Sequence, residues 1–388
     1  IERSEGDAAP LSLSDLEVRG ALVVGQFGRT LLVRLRDSNV AFALKQMKKG
    51  ALLAASALPH ALNERAVLQR CGAHPFLPRC AAACQDAAHL YLATDYCAGG
   101  TLGGLLRIHG AFDEKVSEFY VACAVCALEF LHERRIVSRG LSPDGILLGA
   151  DGWPKLGDFG CAKELGGAPR TYTFCGVAEY LAPEIVLCRG HDTAVDWWAL
   201  GVLLHELLVG ATPFVAPTAL EVYERIARER RPRLGASVSL YARELIGSLL
   251  VGDPAKRLAS QPLAGAQSLK EHGFFGGVDW VALYAKRLPP PSKPVVAGPL
   301  DMSNYERCDD NFEGTTAVNG NAKDDAPADH PAFAEWSTRT GAAGDDGALA
   351  PMMGARRGSL LWKKATNVVH AAGAFRRASA GGLAEAAR

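Results

Sequence analysis

The chain has 388 residues, with 42 Lys and Arg against 42 Asp and Glu, so its formal net charge is zero. This length is sufficient for two lobes, or for one large domain with appendages. The balanced charge gives no indication of nucleic acid or an anionic membrane as a partner. The best apolar run, 197–210, is interrupted by His205 and Glu206 and is too short to span a bilayer.

Ten cysteines are spread through long apolar segments, as reduced intracellular thiols usually are. Cys123 and Cys126 have the spacing of a metal or redox pair. However, they lie in a segment typical of a buried helix, and no second ligand pair follows at zinc-like spacing. We interpret them as core cysteines and predict a cytoplasmic protein. The chain begins with Ile1 and has no secretory signal. The missing Met suggests a fragment or a gene model that lacks upstream domains.

The first predicted elements are two strands joined by a glycine-containing turn, from Leu22 through Thr30 into an apolar run ending at Leu35. Gly25 and Gly28 lie in this turn. Closely spaced glycines let backbone N–H groups approach phosphates, because a side chain would block them. An ordinary glycine hairpin is the alternative explanation.

The next strand, Ala41-Phe-Ala-Leu-Lys45, alternates in polarity and places Lys45 on one face. A helical run, 60–68, carries Glu64. A buried lysine that orients phosphates needs a carboxylate partner, and the spacing of 64 − 45 = 19 residues is what that arrangement requires. Alone, Lys45 would be interpreted as a charge at a strand end.

An apolar strand beginning at His89 then runs into a linker with two glycines, which ends at Thr101. Backbone groups of such a linker can form hydrogen bonds with adenine, with Asp95 and Cys97 in the expected positions. Further along come the loop Ile136-Val-Ser-Arg-Gly-Leu-Ser-Pro-Asp-Gly-Ile-Leu-Leu148 and the triplet Asp158-Phe-Gly160.

This order of motifs over about 17–312 resembles the catalytic domain of the AGC protein kinases, closest to the cAMP- and cGMP-dependent branch. The closest stretches lie in the second half of that range: Tyr172-Thr-Phe-Cys-Gly176, Glu179-Tyr-Leu-Ala-Pro-Glu184, Asp196-Trp-Trp-Ala-Leu-Gly201 and Asp253-Pro-Ala-Lys-Arg-Leu258. The resemblance identifies a fold, and an activity has to be argued from the site itself.

The resemblance implies an α+β, bilobal protein-kinase fold with a small β-rich lobe, one main small-lobe helix and a large, mainly helical lobe. In it, Glu184 and Arg257 would form a buried pair that fastens the activation segment, and Asp196 would brace the catalytic loop. The implied divisions are a lead at 1–16, the kinase domain at 17–275 (small lobe 17–93, hinge 94–101, large lobe 102–275), an AGC tail at 276–312 and a segment at 313–388. The last is rich in Ala, Gly, Asp and Pro and is predicted to be disordered.

The resemblance also implies ATP as the nucleotide and Mg²⁺ as its ion, with Asp158 as the principal metal carboxylate. Val23 replaces the first glycine of the family's glycine loop, and Thr30 replaces its valine. Tyr305 keeps one of the tail aromatics of the family pocket, while Cys308 stands where a second is expected. The nucleotide-binding positions of this chain are Val23, Gly25, Phe27, Gly28, Thr30, Ala43, Lys45, Glu64, Asp95 and Cys97.

Several catalytic positions of the family are altered here. The catalytic base, the nearby lysine and the second metal ligand are replaced by Gly140, Ser142 and Gly145. Val177 replaces a threonine that bonds two of these lost residues, and Ser138 replaces an aromatic ring of the packing column beneath Phe159. Loss of the base alone costs roughly 10²–10⁴ in rate. We therefore predict that phosphotransfer is lost or very weak, with one magnesium site at most. Asp144 is not expected to replace the base, because it matches an acidic residue that faces the peptide substrate.

The family's phosphate-controlled latch is retained. Thr173 matches its activation-loop phosphothreonine, and the three basic contacts to that phosphate match His60, Arg139 and Lys163. The alternative is that these are surface cations retained by descent.

The C-terminal segment carries further short motifs. Phe333-Ala-Glu-Trp-Ser337 resembles the hydrophobic motif that AGC tails insert into their own small lobe, and a chance pair of aromatics is the alternative. Ser359 and Ser379 each follow an Arg-Arg-x pattern, which basophilic kinases phosphorylate and which also occurs by chance. These segments could instead bind the chain's own groove as pseudosubstrates. The candidate phosphosites are Thr173, Ser337, Ser359 and Ser379.

The leading hypothesis is a nucleotide-binding pseudokinase that acts as a regulatory or scaffolding partner in phosphorylation signalling. The alternatives are an active but weak or atypical serine/threonine kinase for basic-motif substrates, and an interaction domain that binds no nucleotide. The expected partners are proteins or an upstream kinase. A cyclic-nucleotide-binding domain or regulatory subunit outside this chain is also compatible with the resemblance.

Overall fold

The computed structural model describes residues 13–36, 38–72, 74–228, 234–236, 238–260, 265–306, 331–333 and 336. These residues fall into two compact units. The first is built from parts of 1–105, 144–160 and 285–343, and the second from parts of 106–143 and 161–284.

The strands of the described residues, in chain order, are β1 (Leu16–Gly25), β2 (Gly28–Leu35), β3 (Ala41–Lys48), β4 (Cys80–Gln85), β5 (His89–Asp95), β6 (Ile136–Val137), β7 (Ile146–Leu148), β8 (Pro154–Leu156) and β9 (Lys163–Glu164). The α-helices are α1 (Lys49–Ala54), α2 (Leu58–Cys71), α3 (Leu102–His109), α4 (Glu114–Glu133), α5 (Pro183–Val186), α6 (Ala194–Val209), α7 (Ala219–Ala227), α8 (Leu240–Leu249), α9 (Gln267–Lys270) and α10 (Trp280–Tyr284).

The first unit is organised by a five-stranded antiparallel sheet in the order β1-β2-β3-β5-β4. Alternation along the strands gives each face its own set of residues. One face buries a cluster that includes Leu31, Val33, Leu44 and Tyr91. Lys45 follows Leu44 directly and therefore points to the opposite face. The alternation of polarity along residues 41–45 of the sequence predicts this orientation of Lys45.

Helix α2 carries Glu64 on its buried side, together with Ala61, Val67 and Leu68. Pro59 lies in its first turn, where the missing N–H of proline costs no helical hydrogen bond. The helix ends at Gly72, whose φ of 54° favours glycine. Glu64 therefore lies among apolar residues on the buried side of α2, and its carboxylate requires a cationic partner.

The second unit is mainly helical. Helix α6 is apolar all round and almost wholly buried, as expected for a central helix. It ends at Gly210, which takes the left-handed conformation with φ 81°. The short ribbon of β6 and β9 lies beside the loop that follows Val137. A sheet-based unit with one main helix and a mainly helical unit confirm the predicted α+β class.

Two aromatic residues of the C-terminal segment are buried in the first unit. Phe333 is 1% exposed and Trp336 is fully buried. The Trp336 indole N–H donates to the carbonyls of Cys84 (2.9 Å) and Tyr91 (3.2 Å), and Arg65 Nη1 donates to the Trp336 carbonyl (2.6 Å). Cys84 belongs to β4 and Tyr91 to β5, so the indole is bonded to two adjacent strands of the sheet. Both rings lie within the segment for which composition predicts disorder.

No helix among the described ranges is long and apolar enough to cross a bilayer. The sequence likewise predicts no membrane span.

A buried ion pair joins two distant segments of the second unit. Arg257 Nη1 and Nη2 donate to the Glu184 carboxylate at 2.8 and 3.0 Å, and Nη1 also donates to the Ala194 carbonyl at 2.7 Å. The Arg257 side chain is fully buried and that of Glu184 is 5% exposed. The contacts are the ones expected from the sequence for these two residues.

We expect Arg257→Met to lower the free energy of unfolding by about 3–5 kcal/mol, because it leaves the Glu184 carboxylate buried without its cation. Urea denaturation at pH 7.5 measures this change. The matched control is the neighbouring Lys256→Met, since the Lys256–Asp253 pair is exposed and its loss costs about 0–1 kcal/mol. Equal effects of the two substitutions would contradict the assignment.

Candidate functional site

The turn between β1 and β2 brings the backbone of two strands very close together. A Cβ atom at Gly28 would lie 1.9 Å from the Gln46 carbonyl oxygen, so only glycine fits there. The Phe27 carbonyl accepts a hydrogen bond from the Lys48 N–H at 2.8 Å. The predicted phosphate loop thus rests directly on β3, the strand that carries Lys45.

Four of the predicted nucleotide-binding residues share one face of the sheet. Val23 pairs with Thr30 across β1 and β2, and Thr30 pairs with Lys45 across β2 and β3. Directly opposed residues lie on the same face, and Ala43 joins them because it precedes Lys45 by two positions. The sheet register therefore gathers small or aliphatic side chains around one lysine.

The Lys45 ammonium and the Glu64 carboxylate form the ion pair that the 19-residue spacing predicts. Lys45 Nζ lies 2.6 Å from Glu64 Oε1 and 2.7 Å from Oε2. The carboxylate side chain is 8% exposed, whereas the lysine side chain is 38% exposed. Glu64 therefore fixes the position of an ammonium group on a lysine side chain that is more than one-third exposed.

Asp158 lies two residues beyond β8, and its side chain is exposed. Its Oδ1 accepts a hydrogen bond from the Gly160 N–H at 3.1 Å, which orients the carboxylate. Gly145, at the position of a second metal ligand, contributes only backbone, and its carbonyl accepts from the Gly157 N–H at 2.9 Å. Among the described residues, no group of three or more His, Cys, Asp or Glu side chains is placed to hold a metal ion.

In the linker after β5, the side chain of Asp95 is already engaged. Its Oδ2 accepts from Lys155 Nζ at 2.6 Å and from the Arg79 N–H at 3.1 Å. The Asp95 N–H also donates to the Arg79 carbonyl at 3.2 Å, so both the side chain and the N–H of this residue are engaged within the protein. Burial raises the pKa of the Cys97 thiol to about 12, so this side chain is a neutral apolar group. The Cys97 carbonyl accepts a hydrogen bond from the Tyr305 hydroxyl at 2.8 Å.

The loop after β6 is held through its backbone. The Asp196 carboxylate accepts from the N–H groups of Ser138 (2.9 Å) and Arg139 (2.8 Å), and it also contacts His132 Nε2 (2.8 Å). Arg139 has a φ of 55°, which is uncommon for a residue other than glycine. Gly140, at the position of the catalytic base, therefore follows a well-anchored residue and carries no functional group. The role expected for Asp196, bracing this loop, is what these bonds perform.

Two of the predicted latch cations lie next to Thr173 in the second unit. Arg139 Nη1 donates to the Thr173 carbonyl at 3.4 Å, and its Nε donates to the Cys161 carbonyl at 2.7 Å. Lys163 Nζ donates to Thr171 Oγ1 at 3.1 Å, which in turn lies 3.4 Å from Thr173 Oγ1. Desolvation and the Arg139 charge lower the pKa of Lys163. The site concentrates positive charge around the Thr173 hydroxyl.

His191 belongs to this basic cluster and was not identified from the sequence. Its backbone pairs with that of Thr171, and its Nε2 lies 3.3 Å from Arg139 Nη1. A guanidinium can only donate, so Nε2 accepts and the ring is neutral. Burial, followed by the charge of Arg139, lowers the pKa of His191 to about 4. A lone histidine 52 residues along the chain from Arg139 carries no local signal of this contact.

The structure thus places the nucleotide-binding candidates, Asp158 and Tyr305 in the first unit, and Arg139, Lys163 and Thr173 in the second. His60, the third predicted latch cation, lies on α2 of the first unit. Cys308 and the candidate phosphosites Ser337, Ser359 and Ser379 lie outside the described residues.

Known proteins similar to this chain are protein kinases. The family model for the protein kinase domain matches residues 16–275. The chain is 38% identical over 313 residues to cGMP-dependent protein kinase, isozyme 1, of Drosophila melanogaster, which covers 79% of this chain and 40% of that protein. It is 40% identical over 308 residues to the human cAMP-dependent protein kinase catalytic subunit PRKX, covering 79% and 84%. It is 39% identical over 300 residues to the serine/threonine-protein kinase gad8 of Schizosaccharomyces pombe, covering 77% and 52%.

The low pKa of His191 predicts an acid-dependent loss of stability. Between about pH 6.5 and pH 4 the unfolded chain binds a proton at this ring and the folded chain does not, so the free energy of unfolding falls as pH falls through this window. The groups facing the ring are Arg139, Lys163 and Asp196. Lowering the pH from 7.5 to 4.5 reduces the free energy of unfolding of the wild type. We expect this reduction to be about 2–3 kcal/mol smaller in His191→Gln.

Urea denaturation at both pH values measures this difference. The exposed His109, replaced by Gln, is the matched control and should leave the profile unchanged. Identical acid profiles for the wild type and His191→Gln would overturn the assignment.

Proposed function

This chain belongs to the protein kinase family, with its similarity to AGC members of the cyclic-nucleotide-dependent type, and from that premise we propose that it is a nucleotide-binding pseudokinase. It acts as a regulatory or scaffolding partner in phosphorylation signalling. One observation carries the proposal: the Lys45–Glu64 pair is formed at 2.6 Å, whereas Gly140 and Gly145 offer no side-chain oxygen. The ion pair that would position phosphates is therefore formed, whereas the side chains that would support their transfer are missing.

ATP fits the groups that the first unit presents. Lys45 would hold phosphate oxygens while Glu64 fixes its ammonium, and the glycine turn would direct backbone N–H groups to the phosphates. Adenine would meet the backbone of Asp95 and Cys97, since the Asp95 carboxylate is bound to Lys155. When bound, the nucleotide and its Mg²⁺ supply a polarised γ-phosphoryl group. The Asp158 carboxylate would hold this ion, and Gly145 limits the site to one metal.

Loss of transfer follows from the missing base and its supports. A positioned base contributes roughly 10²–10⁴ in rate, or about 3–5 kcal/mol of barrier. Asp144 is the acidic residue nearest to Gly140 in sequence, but its Oδ1 accepts from Thr101 Oγ1 at 3.2 Å. That hydrogen bond favours a structural role for Asp144. A domain that positions the nucleotide but has no catalytic base would bind ATP and signal through its conformation.

An active, weak serine/threonine kinase is the second candidate. The formed Lys45–Glu64 pair favours it, since active kinases require this pair, and each of the similar proteins is named as a kinase. The third candidate, an interaction domain that binds no nucleotide, leaves the same pair and the exposed Asp158 without a role.

We further propose that phosphorylation of Thr173 closes a latch on the basic cluster formed by Arg139, Lys163 and His191. Arg139 and Lys163 bring positive charge close to Thr173, and a phosphate there would add about −1.5 to −2 charges and three acceptor oxygens.

The partners in this proposal are proteins and an upstream kinase. The chain spans 40% of the length of the Drosophila cGMP-dependent kinase that it matches. A cyclic-nucleotide-binding region outside this chain is thus one candidate regulator. We place the protein in the cytoplasm, because its cysteines are spread through apolar segments and the nine in the described part of the chain are not joined in disulfides.

The first test is nucleotide binding, followed as a rise in melting temperature with ATP, with and without Mg²⁺. At an ATP concentration of 100 times the Kd, we expect the free energy of unfolding to rise by about 2.7 kcal/mol. Lys45→Met should abolish most of it, and the exposed Lys48→Met, on the same strand, should not. A melting temperature that ATP does not raise would favour the interaction domain.

The second test is phosphotransfer from ATP to an Arg-Arg-x-Ser peptide. The triple substitution Gly140→Asp, Ser142→Lys, Gly145→Asn restores the missing groups and should exceed the wild type by at least about 100-fold. Robust transfer by the wild type would falsify the pseudokinase proposal and establish the weak-kinase alternative.

The third test compares the melting temperature of the protein with threonine and with phosphothreonine at position 173. New charge-assisted hydrogen bonds should add on the order of 2 kcal/mol, which raises the melting temperature by about 3 °C for a protein of this size. Lys163→Gln should reduce that gain, because it removes one of the cations. A melting temperature that the phosphate leaves unchanged would exclude the latch.

A further inference from the structure

Three consecutive linker residues are each tied to the tail segment 301–305. The Tyr96 hydroxyl donates to the Asp301 carbonyl, the Tyr305 hydroxyl donates to the Cys97 carbonyl at 2.8 Å, and Asn304 Nδ2 donates to the Ala98 carbonyl at 3.0 Å. We call this set of bonds the hinge clasp. Its members lie in one compact unit.

The clasp is closely fitted. Gly100 has a φ of 75°, and a Cβ atom there would lie 2.3 Å from the Asn304 carbonyl oxygen. The rings of Tyr305 and Tyr96 are stacked with centroids 6.0 Å apart. Burial raises the pKa of Tyr305, so its hydroxyl keeps the proton that it donates. The tail is therefore held against the linker by side chains with little freedom to move.

The clasp saturates one carbonyl group. The Cys97 oxygen accepts from the Tyr305 hydroxyl at 2.8 Å and from the Gly100 N–H at 3.3 Å. A carbonyl has two lone pairs, and both are used. In contrast, the Cys97 N–H donates no hydrogen bond within the described part of the chain. The Cys97 N–H can therefore donate a hydrogen bond to a ligand, whereas the Cys97 carbonyl has no lone pair left to accept one.

We propose that the Tyr305 hydroxyl determines ligand specificity at this linker, because it closes the Cys97 carbonyl to any second donor. The site accepts heterocycles that take a hydrogen bond from the Cys97 N–H, as a purine ring nitrogen does. It rejects ligands whose binding depends on donating to the Cys97 carbonyl. The proposal rests on the proposed nucleotide site and adds to it a group that selects among heterocycles.

The rejection has a simple physical basis. A ligand N–H directed at the saturated oxygen loses its hydrogen bond to water and gains none in return, which costs affinity. Removing the Tyr305 hydroxyl leaves the Gly100 bond in place and frees one lone pair. The same N–H then gains a partner, and a net neutral hydrogen bond is worth about 3- to 10-fold in Kd.

The experiment uses a matched pair of probes, 2-anilinopyrimidine and 2-phenoxypyrimidine. Both have a ring nitrogen that accepts from the Cys97 N–H, and only the anilino compound carries an adjacent N–H for the carbonyl. Kd values for both probes and for ATP are measured by calorimetry on the full chain, for the wild type, Tyr305→Phe and Tyr96→Phe. Tyr96→Phe is the matched control, since it removes another hydroxyl of the clasp and leaves the Cys97 carbonyl saturated.

In the wild type we expect the anilino compound to bind no more tightly than the phenoxy compound. In Tyr305→Phe it should bind about 3- to 10-fold more tightly than the phenoxy compound, with ATP changed less, while Tyr96→Phe keeps the wild-type ratio. A wild-type preference for the anilino compound, or a ratio that Tyr305→Phe leaves unchanged, overturns the proposal. A changed ratio in Tyr96→Phe assigns the effect to general loosening of the tail and also overturns it.

The two proposals fail in different ways. If both probes bind with the expected ratios and ATP does not bind, the nucleotide proposal fails and the selectivity of the linker stands. If ATP binds and Tyr305→Phe leaves the ratio of the two probe Kd values unchanged, the nucleotide proposal stands and the selectivity proposal fails. If neither ATP nor either probe binds to any variant, both proposals fail. Melting temperatures of the three proteins verify that each is folded.

Discussion

The buried carboxylate of Asp196 is the constraint on which the functional loop of the second unit depends. It accepts hydrogen bonds from two successive backbone N–H groups, those of Ser138 and Arg139, and it contacts the His132 ring. A charge at 0% exposure needs such partners, and they in turn fix the loop. Arg139 is held at a positive φ, from which its guanidinium reaches the carbonyls of Cys161 and Thr173 and the ring of His191.

Because Asp196 holds backbone groups, the loop can change its side chains and keep its path. Any residue except proline supplies the N–H that Asp196 needs. Ser138 and Gly140 therefore replace larger or charged family residues at no cost to this frame. In the first unit the same separation holds, since the Gly145 carbonyl still accepts from the Gly157 N–H where a metal-ligand side chain is absent. This independence of frame and chemistry is what the proposed pseudokinase with a phosphate-controlled latch requires.

Those parts of the site that rest on regular spacing could be predicted from the sequence. Strand alternation and helical spacing were sufficient to anticipate the Lys45–Glu64 pair, and motif positions were sufficient for the Arg257–Glu184 pair. The sequence does not predict three other contacts. These are the ion pair of the Asp95 carboxylate with Lys155, the contact of His191 with Arg139, and the hinge clasp. Each joins segments 52 to 208 residues apart through an irregular stretch, where neither period nor motif restricts the partner.

The burial of Trp336 has a consequence for the order of events during synthesis. Its indole bonds to β4 and β5 join residues 252 and 245 positions apart in sequence. At typical translation rates of about 5–20 residues per second, the sheet waits on the order of 10–50 s for this ring to be made. Throughout that interval the carbonyls of Cys84 and Tyr91 lack the indole N–H as a partner. The β4–β5 side of the sheet in a nascent chain therefore completes its hydrogen bonds only after residue 336 has been synthesised.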